Sequence, residues 1–148
     1  MTEGKRKELE EKRKARKSIT AEEFTPAELV NEMLDKLPED VWDDPQKTFL
    51  DNSAGNGNFL VAILQRKLDH GHDPLQALST IYGVEIMYDN VEEMHHRIYS
   101  IVKDLLPTQE EKDKAFKIIK ENIVCSDAFK WDYENWCPLK KDKAPPLF

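Results

Sequence analysis

Apolar residues fall at helical spacing in four stretches of this chain and as short, largely apolar runs in three others. Leu29, Val30, Met33, Leu34 and Leu37 form the first stripe of an amphipathic helix. Thr25 is placed to cap it, Pro26 to open its first turn and Glu28 to complete a capping box. Phe59, Leu60, Ile63, Leu64 and Leu68 mark a second helix, with Gly71 where a C-terminal cap belongs. Asp73 and Pro74 restart a short helix. Val91, Met94, Ile98, Ile101, Val102 and Leu105 mark the next, with Asp89 as its expected cap. Thr108 and Glu111 cap a last helix bearing Ala115, Phe116, Ile118 and Ile119. The three runs are Thr48–Leu50, Ile81–Ile86 and Ile123–Cys125, each short and β-prone as buried strands are. Strands alternating with helices predict an α/β domain with a partial parallel sheet of about three strands, flanked by helices. Residues 131–148 read as an irregular tail.

Residues 1–18 stand apart. Leu9 is the only large apolar residue between Thr2 and Ser18, so a helix there has nothing to bury. The segment holds eight Lys or Arg against four Glu, a net +4 on a chain of −7, which leaves −11 on the rest. It reads as a basic arm, disordered or loosely helical, able to follow nucleic-acid phosphates by counterion release or to stay a solvated tail. The folded domain is then 19–130. At 148 residues, 39% hydrophobic and 34% charged, the chain has room for one core. No apolar run approaches a membrane span, and no apolar segment follows the basic residues as a secretory signal requires. A cytoplasmic protein is expected. Cys125 and Cys137 make neither a disulfide framework nor a zinc signature. His70, His72, His95 and His96 cluster in sequence, but loop and helix spacing aim them apart, and no metal site is expected.

Ligands of an open α/β sheet sit beyond the carboxyl ends of its strands. Asp51, Glu85 and Asp127 each lie at or just past such an end, and Gly55 and Gly57 follow the first. Glycines let backbone approach a ligand closely. A carboxylate after the second strand suits ribose hydroxyls, and one after the third suits an adenine amine. Together they describe an adenosine pocket. A dinucleotide fingerprint needs a third glycine where Leu60 stands, and the Gly-Lys-Ser/Thr of a phosphate loop is absent. Asp51 beside the glycine loop repels a pyrophosphate and welcomes an ammonium. S-adenosylmethionine, cationic and free of phosphate, is the adenosine cofactor that charge favours.

The segments FTP, DNSAGNGNFL, IYGVEI and CSDAF, in this order, resemble the successive cofactor motifs of adenine-specific, S-adenosylmethionine-dependent DNA methyltransferases, most of all their small phage-type versions. The resemblance covers roughly residues 19–130. It implies a Rossmann-like class I methyltransferase fold and methyl transfer to the exocyclic amine of adenine. It further implies that Phe24, Thr25 and Pro26 line the methionine end of the cofactor, and that Asp51, Ala54, Gly55, Gly57 and Phe59 form the glycine-loop floor. Glu85 and Ile86 would hold the ribose and flank the adenine, and Asp127 and Ala128 would meet the adenine edge. Each also has a plainer reading: the glycines as a strand-to-helix turn, Glu85 as a surface acid, Asp127 as a helix cap, Phe24 and Phe59 as core. Trp131, Tyr133 and Trp136 read as tail packing before base stacking.

The catalytic motif of that family, a polar residue followed by Pro-Pro and an aromatic, is not met. The one Pro-Pro, Pro145–Pro146, has Ala144 before it and Leu147 after it, and LKKDKA upstream is no buried strand. No catalytic residue is therefore assigned. The chain reads as a piece cut short, a small protein keeping the cofactor half, or half of a split enzyme. A homo-oligomer or second chain supplying the missing half is expected, with DNA a partner through residues 5–17. The other reading is a non-catalytic module that binds S-adenosylmethionine or only a partner.

Overall fold

Three short parallel strands, Phe49–Asp51, Ile81–Glu85 and Ile123–Cys125, build the sheet side by side in that order. The computed structural model describes residues 2–20 and 24–140. Along the chain run α1 (Glu3–Thr20), α2 (Ala27–Asp35), β1 (Phe49–Asp51), α3 (Asn58–Asp69), α4 (Pro74–Ser79) and β2 (Ile81–Glu85). There follow α5 (Tyr88–Val102), α6 (Gln109–Asn122), β3 (Ile123–Cys125), β4 (Trp131–Asp132) and β5 (Cys137–Pro138). The expected α/β architecture, a parallel sheet flanked by helices, is present. Register pairs Phe49 with Ile81, Leu50 with Tyr82, Gly83 with Ile123 and Val84 with Val124. Because side chains alternate across a strand, Phe49, Ile81, Gly83 and Ile123 share one face. That face carries the core, packing with Leu60, Ile63, Leu64, Met94 and Ile98. Gly83 is small for a reason: a Cβ there would lie 2.6 Å from the Leu60 side chain.

The helix faces follow the sequence pattern except at the margins. Val30 and Leu34 of α2 are buried against the core, but Leu29, Met33 and Leu37 of the same stripe are exposed. α2 packs on α3 alone among its larger contacts, so only one edge of the stripe is covered. Thr108 caps α6 as expected, accepting from Glu111 N–H, and Asp73 caps the short helix α4, accepting from Gln76 N–H. Gly71 follows the end of α3 with φ 81°, its N–H on the Leu68 carbonyl. Two caps differ. Pro26 rather than Thr25 occupies the cap of α2, with no side-chain bond. Met87 rather than Asp89 occupies that of α5, because the helix begins two residues earlier than an Asp89 cap implies. Lys67 is fully buried: its Nζ donates to the Lys47 carbonyl at 2.9 Å and lies over the Phe49 ring. That bond fastens α3 to the segment entering β1.

The basic arm is helical over Glu3–Thr20, and ionic contacts take the place of an apolar stripe. Lys5 pairs with Glu92 and Arg13 with Glu93, both on α5, while Leu9 is half-buried. The tail, expected to be irregular, holds a small antiparallel hairpin, Trp131 opposite Pro138. Asp132 makes its turn by accepting from Glu134 N–H and Asn135 N–H, and Trp136 takes φ 52°. The Trp136 ring then packs edge-on against Tyr82 at 4.9 Å and Trp131 at 5.2 Å, on the sheet face opposite the core. Pro145–Pro146, Leu147 and Phe148 lie outside the described residues. No helix among the described residues is long and apolar enough to cross a membrane.

Candidate functional site

The glycine turn is built where β1 ends. Ala54 N–H returns to the Val84 carbonyl of β2 at 3.0 Å, and Gly57 N–H closes on the Ala54 carbonyl at 2.9 Å. Gly57 has φ 93°, and a Cβ on it would fall 2.3 Å from Met94 Cγ, so both backbone and packing demand glycine. At Gly55 a Cβ would press on the Phe24 ring at 2.9 Å. The turn opens on a cleft of about 300 Å³ whose walls include Phe24, Thr25, Asp51, Ala54, Gly55 and Phe59. These six sequence candidates are brought together. Gly57, which closes the turn, and exposed Pro26 do not line the cleft. Asn58 Nδ2 donates to the Thr25 carbonyl, and Arg97 donates to the Asn56 carbonyl and Asn58 Oδ1, clamping the turn to α5. Pattern alone gave no signal for Arg97, whose partners are 39 and 41 residues away.

Two carboxylates meet at this turn. Burial pushes the Asp51 carboxyl above its ordinary range; the Ser53 N–H it accepts works against that, and the charge of Glu85 adds to it. Glu85 is buried, and its oxygens accept from within: Oε1 from Gly55 N–H at 3.0 Å, Oε2 from Met87 N–H at 2.9 Å and Asn90 Nδ2 at 3.2 Å. A carboxylate offers roughly four acceptor positions, so about one remains. Glu85 also acts on Cys125, whose thiol pKa is pushed up by burial and then by that carboxylate.

The remaining candidates stand past β2 and β3, outside the walls of the cleft. Asp127 caps a short turn at Ala128–Lys130, its Oδ1 accepting from Phe129 N–H at 2.9 Å. The Ala128 carbonyl accepts from the Tyr133 hydroxyl at 2.7 Å. Burial, then Asp127, raises that hydroxyl's pKa, while a bond to Asn52 opposes them. Ile86 is 61% and Phe129 79% exposed, apolar surfaces left beside the strand ends. Phe129 was legible as the residue after Asp127 and Ala128, yet only its exposure singles it out. Among the described residues no cluster of His, Cys, Asp and Glu is arranged to hold a metal. His72 and His95 are engaged instead with the carbonyls of Trp42 and Ile123. No protein-family model, curated protein or solved structure matches the chain.

Proposed function

We propose that the strand-end cleft binds S-adenosylmethionine and that the chain is the cofactor-binding half of an adenine-specific DNA methyltransferase of Rossmann-like class I fold. A second chain or a second copy would supply the groups that hold the target adenine. One observation carries this reading: Asp51 and Glu85 converge on a glycine turn, and the half-buried Asp51 feels the charge of Glu85. A ligand bringing positive charge relieves that repulsion, whereas a phosphate aggravates it. The residues present fit such a cofactor. Asp51 would take the ammonium, and the free acceptor position of Glu85 a ribose hydroxyl. Ile86 and Phe129 offer apolar surface for the adenine, with Asp127 and Ala128 at its edge. The bound sulfonium supplies an activated methyl group. The chain's own part is to hold and orient the cofactor, and the basic residues of α1 to attract the phosphates of DNA.

A non-catalytic module is the second reading, and one feature favours it. Glu85 and Asp127 already spend acceptor positions on backbone N–H groups of their own turns. Calorimetric titration with S-adenosylmethionine tests the cofactor site. Glu85→Ala should weaken binding by roughly 1–3 kcal/mol, the scale of hydrogen bonds to a charged group. Equal, undetectable binding by wild type and variant would refute it. A labelled-methyl transfer assay on adenine-containing DNA, with the chain alone, should give no product. Robust transfer would place the catalytic groups within these residues.

A further inference from the structure

We infer that Arg13 of α1 is a positioning residue of the strand-end site, fixing Glu85 through Asn90, so that the N-terminal helix belongs to the site and is not an appended tail. The ligand side of this inference rests on the cofactor reading given above. Arg13 Nε donates to Asn90 Oδ1 at 3.1 Å, across 77 residues of sequence. Its guanidinium also pairs with Glu93, and both side chains are largely buried, at 16% and 19% exposure. Asn90 and Glu93 are three apart on α5 and so share one helix face.

The chemistry of the amide makes the arrangement directional. A guanidinium only donates and a carboxylate only accepts. Asn90, fully buried, therefore has one orientation that serves both neighbours: Oδ1 toward Arg13, Nδ2 toward Glu85 Oε2. With Arg13 gone, the amide oxygen loses its donor of that pair and Glu85 alone of the two is left to hold the orientation. The reversed amide would put oxygen against oxygen at Glu85, a buried and unfavourable contact. Glu85 passes the constraint to the glycine turn, since its Oε1 accepts from Gly55 N–H. Arg13 reaches the same turn from its other side. Its guanidinium lies 5.0 Å from the centre of the Phe24 ring, and that ring is what a Cβ on Gly55 would strike. One side chain of α1 thus braces the ribose-side acid and the aromatic wall of the cleft together.

The test uses the full chain as wild type, Arg13→Ala, Arg13→Lys, Glu85→Gln and the Arg13→Ala/Glu85→Gln pair. Amide resonances of the ligand-free protein are read first. Arg13→Ala should move the Asn90 side-chain amide and the Gly55 backbone amide while leaving distant α6 amides in place. Arg13→Lys, with one ammonium in place of a fork, should restore them only in part. S-adenosylmethionine titration is read second. Arg13→Ala should weaken binding about tenfold, as loss of a hydrogen-bonded charge would, and the double variant should bind no worse than Glu85→Gln alone. Overlap of that kind marks two residues acting as one unit. Asn90 and Gly55 resonances unchanged in Arg13→Ala would overturn the inference, as would full additivity of the two losses. If wild type fails to bind S-adenosylmethionine but the amides move as described, the positioning role stands and the cofactor reading falls.

Discussion

Asp51 stays an acid in a place that resists its charge: burial raises its pKa, and Glu85 raises it further. An acid whose folded pKa lies above its unfolded value favours the folded state at low pH, and that contribution is lost as pH rises through the folded pKa. At neutral pH the ionised group is therefore a cost to the ligand-free protein. Asp51→Asn keeps an oxygen for the Ser53 N–H but removes the charge. The variant should melt higher than wild type at pH 7, with the gap closing as pH falls toward the ordinary carboxylate range. Its affinity for S-adenosylmethionine should fall, and wild-type affinity should fall likewise as pH drops through the raised pKa. Thermal melts and titrations across pH check both halves. A variant that melts lower at pH 7, or binds equally well, would show that Asp51 is not a strained receptor for a cation. Residues of this kind were legible because chemistry and position coincide: acid, strand end, glycine. Arg13, Asn90 and Arg97 were not, because what they touch is fixed by how α1, α5 and the turn come together, and no local period encodes that.

At the scale of elements, the sequence marked the sheet and its helices because each buries one continuous face at a regular period. β3 begins at Ile123 and ends at Cys125 as its apolar run does. The hairpin of the tail escaped the same reasoning. Its strands are two residues each, and its turn depends on Asp132 and on Trp136 at φ 52° rather than on a glycine. What holds it is aromatic packing. Trp136 meets Tyr82, Trp131 and Tyr133, and its Nε1 donates to the Glu121 carbonyl at 2.7 Å. The hairpin covers part of the sheet face that the helices leave open. Trp136→Ala removes this half-buried ring and its bond, and should cost about 2 kcal/mol of stability. Chemical denaturation measures it, and fluorescence of the remaining tryptophans should report a looser Trp131. A loss near zero would make the hairpin an ornament on the fold.

At the scale of the whole molecule, the far edge of β1 stands out. β2 pairs on one side of Phe49–Asp51, and no strand among the described residues pairs on the other. Leu50 points to the face away from the core and is 51% exposed. Parallel sheets are ordinarily covered on both faces, and a bare apolar edge is a template for another chain. The described part of the tail answers this at β2, through Trp136 on Tyr82, and none of its described residues pairs with β1. Purified protein should therefore associate with itself in a concentration-dependent way, seen by light scattering during size-exclusion chromatography over micromolar concentrations. Leu50→Lys puts a charge on the open edge at a half-exposed position. It should leave the melting temperature within a few degrees, since exposed substitutions change stability by about 0.5 kcal/mol, while returning the protein to a monomer. Wild type that stays monomeric throughout, or a Leu50→Lys variant that associates as wild type does, would mean that this edge is not the contact. Association lost with the fold intact would identify the open edge of β1 as the contact.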